Sequence, residues 1–202
     1  MRRTLAAPPA AERALLPIER ALVKWRQERA VVVDGEGNVL LVKKGKKAKV
    51  VFEPEDRPLM ADHILTHNHP PEKCMMPVET GEGYRTYETG GSLSPKDVSY
   101  AARGNAAEVR AVTRAVVDGK QCTAVYSIER PPGGWPPDYL IQDEAESMAA
   151  GEKVRLERDI REHRATVCEH GADVMHRVWT KLAPELGLRY KRGIIVDDLD
   201  EF

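Results

Sequence analysis

The sequence contains few aromatic residues, few cysteines and no long apolar run. Aromatic residues make up 5% of the 202 residues, which argues against a stacking platform for single-stranded nucleic acid. Cys74, Cys122 and Cys168 are scattered and form no CxxC pair, so we expect neither a disulfide framework nor a cysteine zinc site, and a reducing compartment. The basic N-terminus has no sustained apolar stretch, and we therefore expect no signal peptide and no membrane span.

An excess of charge of one sign is also lacking. The chain has 31 Lys and Arg against 32 Asp and Glu, a net charge of −1, which gives no general basic surface for nucleic acid. The lysine-rich turn at residues 43–49 is interpreted as a solvated tip that protects a strand edge, with DNA binding as the open alternative. We expect a cytoplasmic protein whose partners are proteins or peptides; no pattern indicates an oligomeric state.

Apolar patterning in the first half of the chain alternates between helix and strand periods. Residues 10–27 predict an amphipathic helix, and residues 28–52 predict an antiparallel meander of three strands, the last from Ala48 to Phe52. A short buried strand follows at Asp62–Thr66. Residues 70–91 are predicted to be a long irregular insertion, a kind of loop that is often functional.

The second half begins with a helix from Pro95 to about Gly104, followed by two strands split by a turn near residues 117–120. The proline-rich stretch 131–138 is the clearest boundary, since its prolines cannot lie inside a helix or a central strand. Residues 139–186 then predict two helices, with a small basic patch at Arg189–Arg192.

These elements predict an α+β (α/β) fold with an antiparallel or mixed sheet flanked by helices. The predicted organisation is an N-terminal helical arm, a core, a proline-rich linker, and a helical C-terminal region with a short acidic tail. Their bounds are 1–27, 28–130, 131–138 and 139–202.

One motif stands at the end of the predicted buried strand, where His67-Asn68-His69-Pro70 breaks the apolar run. Side chains alternate along extended backbone, so His67 and His69 point to the same side. Ser94-x-x-Asp97 opens the next helix and can bring a carboxylate beside them. Two histidines and one carboxylate with an open fourth position are the ligand set of a catalytic zinc site.

Each part of this combination also has a purely structural interpretation. Ser94 can be the N-cap of the helix, with Pro95 at its first position and Asp97 bonding back to the cap. A His-x-His pair alone is common at polar strand ends. The combination of strand, HNHP, SxxD and helix is much more specific than its parts.

The same residues resemble the JAB/MPN (JAMM) metalloprotease fold, and within it the RadC-like branch, whose histidine motif is also HNHP. The resemblance covers roughly residues 27–130. Similar HNHP segments occur in phage-encoded proteins, including head-morphogenesis and tail-assembly proteins. The resemblance therefore implies either a cytoplasmic zinc-dependent peptidase or isopeptidase, or a phage virion protein derived from one, which would be located in the virion with other virion proteins as its partners.

The family mechanism implies a role for each site residue. His67, His69 and Asp97 would bind Zn²⁺. Glu28 would take a proton from the zinc-bound water and pass it to the leaving amine, and Ser94 would donate a hydrogen bond to the oxyanion.

Two departures bear on that assignment. The insertion at residues 70–91 is far longer than the link usual in the family, so Asp97 must be returned by a looped-out segment, which loop-closure entropy tolerates. Glu28 is assigned by pattern only, and Glu36 and Glu53 are alternatives. The other class left open is a non-catalytic virion or assembly component that acts through protein contacts of the C-terminal helices.

Overall fold

A computed structural model describes residues 8–46, 49–77, 84–117, 120–162 and 167–195. It has a mixed α+β fold, with a six-stranded mixed sheet and a two-stranded sheet flanked by helices, which confirms the predicted fold class. The helices are α1 (Pro9–Leu22), α2 (Pro95–Arg103), α3 (Asp138–Arg161) and α4 (Val167–Glu185), with a short 3-10 helix at Pro54–Leu59. The strands are β1 (Arg29–Val33), β2 (Val39–Lys44), β3 (Ile64–Asn68), β4 (Glu72–Pro77), β5 (Tyr84–Thr89), β6 (Glu108–Val117), β7 (Lys120–Glu129) and β8 (Arg189–Ile195).

Strand β3 lies inside the six-stranded sheet, whose order is β2-β1-β3-β6-β7-β8. It pairs antiparallel with β1 and parallel with β6, and all five of its residues are buried. A parallel pair needs a long crossover connection, because the chain must return to the end of the sheet from which it started. Here the crossover contains β4, β5 and α2, so the end of β3 lies close to the start of α2.

The segment after β3 differs from the prediction of an irregular insertion. β4 and β5 form an antiparallel hairpin in which Glu72 is opposite Thr89. The side-chain amide of Gln121 on β7 connects the hairpin to the main sheet. It donates to Glu88 O at 2.7 Å and accepts from Glu88 N at 2.8 Å. The apolar residues of β4, Cys74 to Met76, form a continuous run, and β5 is mostly polar, so neither strand shows a clear period of two and the hairpin was missed.

The cysteines also differ from expectation. Cys74 of β4 is disulfide-bonded, while Cys122 on β7 is a buried thiol whose Sγ donates to Ala115 O at 3.5 Å. The expectation that the cysteines form no disulfide is wrong for Cys74, since sequence spacing does not constrain which thiols meet in space. The side chain of Cys168 lies outside the described residues.

The predicted third strand of the meander is not formed. The segment has only an isolated bridge between Lys46 and Lys49, and Ala48 lies outside the described residues. Val50 and Phe52 instead pack against the core from an irregular segment. Pairing stops here because Pro54 starts the 3-10 helix, a position that a proline's fixed φ favours.

The region after the proline-rich linker shares the core of the sheet. Trp179 of α4 is fully buried, and its indole nitrogen donates to Leu93 O at 2.7 Å. The predicted basic patch at residues 189–192 is part of a strand, β8, which pairs antiparallel with β7. The prediction of a helical C-terminal region is therefore wrong at β8. The charged residues of this strand suit the edge of a sheet.

Helix α1 covers the other face of the sheet and ends at Leu22, earlier than predicted. Beneath it lies Arg110 of β6, which is 0% exposed. Its guanidinium donates to Glu108 at 2.8 Å and to Glu12 of α1 at 2.5 Å, and lies 3.5 Å from Glu19. Burial raises the pKa of Glu19 to about 7, although the charge of Arg110 lowers it. Helix α1 is therefore held partly by a buried charge network.

Within the described ranges, no helix is both long enough and apolar enough to span a bilayer.

Candidate metal centre

The centre is built on the alternation of β3. His67 lies in the strand and His69 one residue after its end, and their Nε2 atoms are 3.0 Å apart. The residues paired with His67 are Ala30 on β1 and Ala111 on β6, whose small side chains leave room for its ring. The side chain of His67 is 5% exposed. The two imidazoles therefore point to the same side of the strand, as the sequence predicts.

Asp97 approaches the histidines from the first turn of α2. Its Oδ2 lies 3.5 Å from His67 Nε2 and 3.3 Å from His69 Nε2. The same oxygen accepts a hydrogen bond from Ser94 N at 2.7 Å, while Asp97 N donates to Ser94 Oγ at 3.2 Å. The capping box and the ligand geometry are thus present together, and the cap positions the carboxylate.

Glu28 completes the cluster from the residue before β1. One ligand atom from each of Glu28, His67, His69 and Asp97 lies within 4.8 Å of all the others. Glu36 and Glu53, the alternatives to Glu28, are not part of this group. Glu28 and Asp97 are distant from the two histidines in the sequence, and the β1–β3 pairing brings Glu28 to the histidines.

The donor set fits a metal ion. In a tetrahedral site with bonds of about 2.0–2.1 Å, neighbouring ligand atoms lie about 3.3 Å apart. The three distances among His67, His69 and Asp97, 3.0, 3.3 and 3.5 Å, bracket that value. His69 Nδ1 lies 3.0 Å from Gly91 O, to which it can donate only as Nδ1–H, and in the neutral imidazole its Nε2 then faces the cluster as a lone pair. The cluster can therefore hold a metal ion.

The charges within the cluster are strongly coupled. Burial opposes ionisation of Asp97, but the two imidazoles outweigh it and hold the pKa of Asp97 well below its usual range. Burial raises the pKa of Glu28, against the opposing effect of the two histidines. A carboxylate with a raised pKa beside a site for a cation is suited to accept and return a proton.

Asn68, between the two histidines, is a residue whose role the sequence did not reveal. It is fully buried, and its Oδ1 accepts from Arg29 N at 2.7 Å. Its Nδ2 donates to Trp25 O at 3.1 Å and to Gln27 O at 3.3 Å. These contacts lie on both sides of Glu28 in the chain. Asn68 therefore fixes the backbone that carries Glu28 to the strand that carries the histidines.

We predict that Asn68→Ala lowers the free energy of unfolding by about 2–4 kcal/mol, because it removes the three hydrogen bonds of the Asn68 side chain to the backbone of Trp25, Gln27 and Arg29. Urea unfolding measures this effect. Asn38→Ala, in an exposed turn, is the matched control and should cost less than about 1 kcal/mol. The variant should still bind metal, since His67, His69 and Asp97 all remain. Loss of metal binding in the folded variant would show that Asn68 supports the histidines instead.

A cavity of about 740 Å³ opens onto the cluster. Ser94 lines this cavity. Because Ser94 Oγ accepts a hydrogen bond from Asp97 N, the hydroxyl hydrogen of Ser94 remains available for a ligand. The wall nearest the cluster combines apolar and basic side chains, among them Lys49, Val50, Phe52, Lys96, Tyr100 and Arg103. The arrangement can place a substrate beside a metal ion, a carboxylate and a hydroxyl donor.

Comparison with protein-family models, curated proteins and solved structures finds no significant match to this chain.

Proposed function

We propose that the protein is a zinc-dependent hydrolase of JAB/JAMM type that cleaves a peptide or isopeptide bond. The observation that carries the proposal is the cluster itself, in which two imidazole nitrogens and one carboxylate oxygen lie within 3.5 Å of one another. A second carboxylate, from Glu28, lies within 4.8 Å, and a cavity opens directly onto the group. The HNHP and SxxD motifs and their places on β3 and α2 support the family assignment.

The residues of the cluster suit the steps of amide hydrolysis. A bound zinc ion would supply an acidified water molecule as a nucleophile near neutral pH. Glu28, whose pKa is raised by burial, can accept the proton of the nucleophile and deliver it to the leaving amine. The Ser94 hydroxyl can donate to the carbonyl oxygen as negative charge develops there. His67, His69 and Asp97 hold the ion in a fixed place.

Metal content tests the proposal. We expect about one zinc per chain in protein that has been reconstituted with zinc and desalted, and almost none in the His67→Ala/His69→Ala variant. His63→Ala is the matched control and should retain zinc, since His63 is outside the cluster. Circular dichroism should show that all three proteins are folded. Absence of zinc from the wild type after incubation with excess metal at neutral pH would contradict the proposal.

Zinc binding without hydrolysis would favour the non-catalytic alternative, an assembly protein that acts through protein contacts. The zinc-loaded protein should therefore be incubated with a proteome-derived peptide library and with isopeptide-linked peptides, and new termini identified by mass spectrometry. Cleavage by the wild type and none by the double histidine variant is the expected result.

A further inference from the structure

The cavity beside the metal cluster has an uneven distribution of charge. Its basic lining residues are Lys49, Lys96 and Arg103. Its only acidic lining residues in the described part of the chain are Glu28 and Asp97, which both belong to the cluster. Among the described residues, the wall outside the cluster is therefore basic and contains no acidic side chain.

Two of these basic residues, the lysines, lack a side-chain partner among the residues that the structure describes. Lys49 and Lys96 are both exposed, and neither makes an ion pair or a side-chain hydrogen bond with any described residue. Arg103 differs, since its guanidinium donates to Asp138 Oδ2 at 2.6 and 2.8 Å. The charge of Arg103 is thus compensated, whereas the charges of the lysines are not.

A divalent cation in the cluster would be balanced by the carboxylates of Glu28 and Asp97. The lining would then keep the two positive charges of Lys49 and Lys96. Beside these charges stand Val50 and Phe52, the latter stacked on Tyr100 with ring centroids 5.1 Å apart. Charges beside an apolar wall act more strongly on a ligand than charges surrounded by water.

We infer that the cavity binds an acidic peptide, in which an Asp or Glu side chain pairs with Lys49 and Lys96 and a neighbouring apolar side chain packs on Val50 and Phe52. This inference rests on the proposed hydrolase only for the position of the scissile bond at the cluster. The observations favour a peptide over a nucleic acid, because the basic residues line one cavity with an apolar wall and the whole chain carries a net charge of −1.

The test compares two pools of fluorescein-labelled decapeptides with randomised apolar positions. The pools are identical except that the fixed polar positions are Glu in one and Gln in the other. Fluorescence anisotropy gives the binding of each pool to the wild type, Lys49→Met, Lys96→Met and the control Lys153→Met, an exposed lysine outside the cavity. Each protein is measured with zinc and without it, so that loss of zinc binding is recorded separately from loss of the charge preference.

We expect the wild type to bind the Glu pool at least tenfold more tightly than the Gln pool. Each cavity variant should reduce this preference about fivefold, the upper range for one exposed ion pair, and Lys153→Met should not. The preference should weaken as salt is raised. Equal binding of both pools, or equal effects of all three lysine variants, would overturn the inference. So would a mixed-sequence oligodeoxynucleotide that binds more tightly than the Glu pool and depends on the same two lysines.

Discussion

Replacement of Arg110 by methionine is expected to lower the free energy of unfolding by about 3–5 kcal/mol at pH 8, because it leaves buried carboxylates without their cation. Arg110 is 0% exposed and faces Glu12, Glu19 and Glu108. Methionine has a similar length and fills most of the space, so the effect reports the charge rather than a cavity. Urea unfolding at several pH values measures it.

The loss of stability caused by Arg110→Met should become smaller as the pH falls. Burial raises the pKa of Glu19 to about 7 and raises that of Glu108, so the folded state binds these protons more tightly than the unfolded state does. A raised carboxyl pKa stabilises the fold at low pH, and this stabilisation is lost as the pH rises from about 4.5 to about 7. Removal of Arg110 raises both pKa values further. The variant should therefore be closest to the wild type near pH 5.

The control for this prediction is Arg26→Met, which breaks the ion pair with Glu88. The side chain of Arg26 is 64% exposed, and exposed pairs contribute about 0–1 kcal/mol. If Arg110→Met costs no more than Arg26→Met at pH 8, the buried network does not stabilise the docking of α1.

Replacement of Glu28 by glutamine should reduce kcat for hydrolysis by about 10²–10⁴-fold and leave zinc content unchanged. The amide keeps the size of the carboxylate but cannot accept a proton. A loss of kcat of this size is typical when a general base is removed. The measurement uses a substrate found by peptide profiling, together with metal analysis of the same samples.

Glu36→Gln is the matched control, because Glu36 is exposed in the β1–β2 turn and outside the cluster. It should leave both kcat and zinc content unchanged. If Glu28→Gln loses zinc, then Glu28 is a fourth ligand, and the site is a closed one of structural type. Full activity in Glu28→Gln would contradict the assigned proton transfer.

Local rules predicted that the side chains of His67, His69 and Asp97 lie close together. The period of two along β3 placed His67 and His69 on one side, and the helix-capping pattern placed Asp97 at the start of α2. Both rules depend on residues close together in the chain. They therefore work before any tertiary contact is known.

Features that depend on distant pairing could not be predicted in this way. Glu28 reaches the cluster through the β1–β3 pairing, and its assignment came from a family resemblance. The partners of Asn68 are backbone groups about forty residues away, which no side-chain pattern reveals. Strand β8 can be predicted only once β7 is known to have an unpaired edge, because the sequence of β8 alternates only weakly between charged and apolar residues.

The hydrogen bonds between Ser94 and Asp97 have a consequence for how the proposed metal ion would enter its site. They hold the carboxylate in place by means of the helix start, and Gly91 O orients His69 separately. The ligands are thus arranged by the fold, unlike those of zinc fingers, whose chains order only around the ion. For the proposed zinc site, the ligand side chains would therefore already be in place before the ion binds, and zinc could be loaded and removed while the chain stays folded.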